Sequence, residues 1–237
     1  MDLQQGFQFL AEKGLNLQAV LACDTLPEDM AQRMAADGVP LADYKQMLLL
    51  GHGGRQFWRS FKSGFAEKTA DPIDTYSLQL TQTFIHDYLG NPPHLILYPG
   101  EYAIPLQQLG ELAGWCQPSP LGLGISATYG VWFAYRTAVL LHTDLPPTPI
   151  TPSTSPCTTC TDKPCLTACP PGAVQQANFD VFTCSHYRLQ ANSPCQDRCL
   201  ARMACPIAPE HQYTLEQIQY HYSHSWQTIR VYFEASL

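Results

Sequence analysis

Eight of the chain's ten cysteines lie between Cys157 and Cys205. That density constrains the fold more than any other feature, because so many thiols in so short a stretch must be cross-linked or must hold metal. Disulfide frameworks belong to small secreted domains. This chain has 237 residues and begins MDLQQGFQFLAEKG, with no basic flank ahead of an apolar core, so an export leader is not expected. Metal is the better reading. The other two cysteines, Cys23 and Cys116, stand alone and read as small buried hydrophobes.

The spacing narrows the choice of metal. The first block is Cys157-x2-Cys160-x4-Cys165-x3-Cys169-Pro170. It is similar to the C-x2-C-x2-C-x3-C-P run of bacterial two-cluster ferredoxins, whose fourth cysteine ligates the other cluster. The second gap is longer here, an addition that a loop absorbs. Four further cysteines, the last again followed by proline, are required, and Cys184, Cys195, Cys199 and Cys205-Pro206 supply them. The crossed rule assigns Cys157, Cys160, Cys165 and Cys205 to one [4Fe-4S] cluster. It assigns Cys169, Cys184, Cys195 and Cys199 to the other. Paired Cys-x2-Cys knuckles also close zinc sites, but zinc needs neither the Cys-Pro endings nor the distal Cys184.

Net charge is -7, with no block of Lys or Arg, and bound clusters would add negative charge. Nucleic-acid binders need a basic footprint, so no nucleic-acid partner is expected. No apolar run approaches the roughly 20 residues that span a bilayer. The chain is therefore expected to be soluble and cytoplasmic, without a membrane partner.

Helical and strand-like stretches alternate up to about residue 144. Asp2–Lys13, 28–36 and 105–113 read as helices. Asp71-Pro-Ile-Asp74 starts another, which runs to Leu89 and stops at Gly90, with Asp71 as N-cap and Pro72 in the first turn. Its two acids are explained by capping. Residues 17–23, the apolar run 47–50, 94–98 and 132–141 read as strands. This interleaving suggests an α/β or α+β layered domain over residues 1–150. The proline-rich stretch 145–156 reads as a stiff linker. It leads into a cluster domain over 151–237, closed by a helix that opens with the capping box Thr214-Leu-Glu-Gln217. The stripe Leu215, Ile218, Tyr222, Trp226, Ile229 and Phe233 is its docking face.

The cysteine region resembles the cluster domain of epoxyqueuosine reductases and corrinoid-dependent reductive dehalogenases, including the isolated cysteine in Cys184-Ser-His-Tyr187. The likeness continues upstream through Ala113-Gly114, Leu121–Ile125, Tyr129-Gly-Val-Trp132 and Asp144-Leu-Pro. Residues 46–98 are similar to cobalamin-processing proteins of the same superfamily, and the chain also resembles ferredoxin-like members of unassigned function. The resemblance implies an α+β fold: a nitroreductase-like N-terminal domain that holds a corrinoid in the reductases, followed by a ferredoxin-like domain that feeds it electrons. It departs from the reductases in two ways. The acid nearest the position of their proton donor is Glu101, one residue out of spacing, and the chain ends soon after the clusters.

Candidate cofactor contacts in the N-terminal domain are Gly51, His52, Gly53 and Gly54, whose backbone amides after a strand suit a phosphate or cofactor edge. A tight turn accounts for the glycines equally well, and a surface histidine is the simplest reading of His52. Arg136 lies on an apolar strand with Trp132, Ala134 and Ala138, so it needs a core carboxylate or an anionic ligand. Two functions are consistent with these residues. One is an electron-transfer protein that serves a partner protein or a bound cofactor. The other is a corrinoid- or flavin-dependent reductase, or a protein that handles a tetrapyrrole-type cofactor.

Overall fold

The structure is a computed structural model that describes residues 3–65, 69–150 and 154–234. In chain order its elements are α1 (Leu3–Glu12), β1 (Leu17–Ala22), α2 (Glu28–Ala36), β2 (Gln46–Gly53), α3 (Gln56–Gly64), α4 (Pro72–Thr83), β3 (His94–Tyr98) and α5 (Leu106–Leu112). There follow β4 (Gln117–Pro118), β5 (Gly124–Ile125), β6 (Phe133–Leu141), α6 (Pro164–Thr167), α7 (Val181–Leu189), α8 (Leu200–Met203) and α9 (Leu215–Glu234). Asp2, expected at the start of the first helix, and residues 151–153 of the expected linker lie outside the described residues.

Two compact units divide the chain: 1–115 with 133–152, and 116–132 with 153–237. The single boundary expected near residue 150 therefore misplaces 116–132. The reason is packing: Leu121, Ile125, Val131 and Trp132 share a core with Val174, Ala201, Tyr213 and Ile218.

The first unit is built on a four-stranded sheet in the order β1-β2-β6-β3, antiparallel throughout. Its class is α+β. All eight residues of β2 are buried, because this strand is covered on both faces. Met47 and Leu49 pack with Met30 and Met34 of α2 and with Leu109 of α5. Alternation turns Leu48 and Leu50 to the opposite face, where α3 lies against β2 and α4 against β6. Each such leucine contributes about 1.5–3 kcal/mol by leaving water.

The helix expected over 71–89 is α-helical only to Thr83 and widens to a π-helical turn over Phe84–Tyr88. Asp71 stands at its N-cap position, but its side chain makes no capping hydrogen bond. The start of the proline-rich stretch is not free. Thr148 donates its N–H to the Val20 carbonyl (3.0 Å) and accepts the Val20 N–H on Oγ1 (2.9 Å). Buried Gln46 likewise accepts from Leu145 N and Thr143 Oγ1, both at 2.8 Å.

In the second unit, Thr214 Oγ1 accepts from Gln217 N at 3.3 Å, which makes half of the capping box. The Gln217 side chain is instead wholly buried, with no hydrogen-bond partner among the described residues. Helix α9 docks on α7: Ile218 is buried, Trp226 Nε1 donates to the Arg188 carbonyl (3.2 Å), and Phe233 meets Phe182 edge-on. Leu215, expected in the docking stripe, is exposed. Among the described residues, no helix is long and apolar enough to cross a membrane.

Candidate functional site

Short elements of the second unit place the eight cysteines between Cys157 and Cys205. Cys157 sits in a 3-10 turn capped by Ser155, whose Oγ accepts from Cys157 N at 3.3 Å. Lys163, left-handed at φ 39°, turns the chain into α6, which carries Cys165. Cys169 follows α6, and α7 carries Cys184. Cys199 caps α8, its Sγ accepting from Arg202 N at 3.4 Å. Cys205 lies beyond the end of α8.

These segments bring the thiols together in two groups. Cys157, Cys160, Cys165 and Cys205 line one cavity, walled by Leu121, Ile125, Val131 and Ile207. Cys169, Cys184, Cys195 and Cys199 line another, together with Phe179, Tyr187 and Tyr222. Burial pushes up the thiols of Cys165, Cys195 and Cys205, and that of Cys184 to about 11. Neighbouring thiolates within the same group add to each shift: Cys157 and Cys160 act on Cys165, and Cys199 and Cys169 act on Cys184. Four thiolates forced together in an apolar hollow repel one another and call for a cationic core. Among the described residues, no group of three or more His, Cys, Asp or Glu is spaced to hold a metal ion.

The second cavity is also lined by Arg188, Arg198 and Arg202, residues that the sequence reading passed over. Arg188, buried, donates to the carbonyls of Cys195 (3.1 Å), Gln196 (3.4 Å) and Tyr222 (3.0 Å) and to Ser225 Oγ (2.9 Å). Arg202 donates twice to the Val131 carbonyl, at 3.1 and 2.6 Å, and lies over the rings of Trp132 and Tyr213. Its charge also reaches the phenol of Tyr222, which burial pushes up to about 12.

The candidates in the first unit are arranged differently from expectation. Gly51 and Gly53 belong to β2, and Gly54 (φ 70°) turns after it. Gly51 is explained by close packing, because a side chain there would strike the Ala134 carbonyl. The Gly53 N–H is already taken by Asn16 Oδ1 at 2.8 Å. His52 is not a surface residue: it is completely buried, stacked on Phe57 (4.7 Å between centroids), and faces Arg136 Nε at 3.0 Å. This geometry requires Nδ1 of His52 to be the acceptor, with the ring proton on Nε2.

Arg136 lies at a bulge, since Leu50 pairs with Thr137 and Gly51 with Tyr135. The simple alternation expected for this strand fails there. Arg136 also acts on the carboxyl of Asp74 and the phenol of Tyr98, both pushed up chiefly by burial. Asp74, expected as a helix-start acid, thus faces a buried cation. The missed signal was its spacing to Ser77 and Thr81, polar residues on the buried face of α4. Glu101 is exposed in the turn between β3 and α5, with no hydrogen bond or ion pair to another described residue.

No protein-family model matches the chain, and no curated protein matches it in sequence. Solved structures do match. Epoxyqueuosine reductase from Bacillus subtilis superposes with TM-score 0.58 at 12% identity, over 90% of this chain and 66% of that one. An epoxyqueuosine reductase in complex with a tRNA-Tyr stem loop gives TM-score 0.57 at 12% identity, over 91% and 68%. The B12-trafficking protein CblC of C. elegans gives TM-score 0.56 at 14% identity, over 96% and 94%. The likeness is one of fold. The chain spans just under two thirds of the B. subtilis reductase and nearly all of CblC.

Proposed function

We propose that this chain is a redox protein of the epoxyqueuosine reductase and cobalamin-processing type, carrying two [4Fe-4S] clusters and acting on a corrinoid. The observation that carries the reading is the grouping of eight cysteines into two sets of four, each lining its own cavity. Cys157, Cys160, Cys165 and Cys205 would hold one cluster, and Cys169, Cys184, Cys195 and Cys199 the other. The clusters would supply single electrons at a potential set by their surroundings. The chain's own residues fix the thiols, exclude water with Leu121, Ile125 and Phe179, and place cationic side chains beside one set.

Support for a corrinoid comes from the fold shared with the B12-trafficking protein over nearly its whole length. On this reading residues 1–150 form the nitroreductase-like part and 151–237 the ferredoxin-like part, with 116–132 packed into the latter. A net charge of -7 opposes an RNA substrate and favours a small cofactor or a partner protein.

The test is anaerobic reconstitution with iron and sulfide, followed by metal analysis and EPR of the reduced protein. About eight irons per chain are expected; zinc in their place, or about four irons, refutes the two-cluster assignment. Titration with hydroxocobalamin, followed by its visible spectrum, is expected to show saturable binding, and flavin mononucleotide serves as the competitor class. Binding of the flavin alone refutes the corrinoid part and leaves the clusters standing.

A further inference from the structure

The surroundings of the two cysteine groups differ in charge. The Cys157, Cys160, Cys165 and Cys205 cavity has apolar and proline walls, with Lys163 as its one cationic side chain among the described residues. The other cavity is lined by three guanidinium groups. Arg198 is largely neutralised by Asp197, which it grips with Nε at 2.7 Å and Nη2 at 2.9 Å. Arg188 and Arg202 are not neutralised. Their hydrogen bonds end on carbonyl and hydroxyl oxygens and both guanidinium groups lie over aromatic rings, with no carboxylate partner for either among the described residues.

A cation withdrawn from water without a counter-ion is costly, and Arg188 is buried while Arg202 is half-buried. The groups in reach that can carry compensating negative charge are the thiolates: Arg188 acts on Cys184 and Cys195, and Arg202 lines the same cavity as Cys169, Cys184, Cys195 and Cys199. Reduction adds one negative charge to a centre. Fixed positive charge in a dry cavity stabilises the reduced form more than the oxidised one.

We propose that Arg188 and Arg202 make the Cys169, Cys184, Cys195 and Cys199 centre the higher-potential member of the pair, so that a single electron entering the protein comes to rest there. The proposal rests on the two-cluster reading above. Both arginines are positioning residues that act on the potential through fixed charge.

The experiment titrates the full, reconstituted chain with dithionite and redox mediators, following each centre by EPR and visible absorption. Two one-electron waves are expected. Cys157→Ala with Cys160→Ala should leave only the higher wave, and Cys184→Ala with Cys195→Ala only the lower. Arg202→Gln should shift the higher wave downward by at least a tenfold change in its reduction equilibrium, about 59 mV for one electron. The lower wave and the iron content should stay unchanged, and Arg202→Lys should recover most of the shift. Arg188→Gln and Arg188→Lys give an independent pair with the same expectation. If the Cys184 centre is the lower of the two in the unsubstituted chain, the inference fails whatever the arginine variants do. It fails equally if Lys and Gln shift the wave alike. A chain that takes up no iron refutes instead the reading on which the proposal stands.

Discussion

Replacing Gly130 with alanine should remove the support beneath Cys205. Gly130 closes a tight turn, exchanging hydrogen bonds with Ser126 at 2.8 and 2.9 Å, and holds φ at 57°. An added Cβ would fall on the carbonyl oxygen of Ile207, two residues beyond Cys205, and that atom is backbone that cannot swing aside. A left-handed conformation costs an L-residue about 1–2 kcal/mol, and overpacking about 1–3 more. The expected loss is therefore about 2–5 kcal/mol, concentrated where the chain must hold the Cys205 thiol. Gly172 supplies the control. It also has positive φ, 69°, shortly after Cys169, but nothing lies within 4 Å of the Cβ it would gain, so Gly172→Ala should cost about 1–2 kcal/mol. Urea midpoints of the anaerobic protein, with iron counted per chain, read both effects. Gly130→Ala should unfold earlier and keep about half of its roughly eight irons, while Gly172→Ala keeps them all. Equal midpoints and full iron in both variants would refute the account of how the loop is held.

Cys205→Ser should lose the same centre as Cys157→Ala, so the double variant should lose no more iron than either single one. Cys205→Ser with Cys184→Ala should lose both centres, and metal analysis distinguishes the outcomes. The Thr81 and Thr137 hydroxyls meet at 3.0 Å in the buried interior of the first unit. Thr137→Val strands the Thr81 oxygen without that partner and should cost about 1–3 kcal/mol in urea unfolding. The Asp74 carboxyl, raised above 3.8 by burial against the opposing pull of Arg136, binds its proton more tightly folded than unfolded. Stability should therefore fall as pH rises from about 3.8 to the raised value. Asp74→Asn should flatten that stretch of the urea-midpoint profile; a profile parallel to the parent's would show that Arg136 fully compensates the burial.

Much of this was legible in the sequence because the signals were local. The cysteine spacing and the Cys-Pro endings single out the eight thiols, and the apolar run at 47–50 announces a strand. Strand β2 proved longer, taking in Gly51 and Gly53, because β6 approaches too closely for a side chain at Gly51. What stayed hidden depends on long-range neighbours. The burial of His52 follows from its stacking on Phe57 and its hydrogen bond from Arg136, 84 residues away. The bulge that aims Arg136 arises from pairing across β2. Arg188 and Arg202 carry no mark in the sequence, and only the folded unit reveals that their hydrogen bonds end on neutral oxygens. The segment 116–132 carries no compositional mark of its unit, since its membership is decided by the side chains it meets.

The sheet order sets a condition on synthesis. Among the described residues, strand β3 pairs only with β6, which is made about 40 residues later, after the whole of 116–132. At roughly 5–20 residues per second, the exposed edge of β3 waits for seconds, and the piece that separates it from its partner belongs to the other unit. The first unit therefore cannot close its sheet until β6 is made, by which time a piece of the second unit has already emerged and waits for residues 153–237. A cut near residue 115 would part the first unit from β6, and a cut near residue 150 would part the second unit from 116–132.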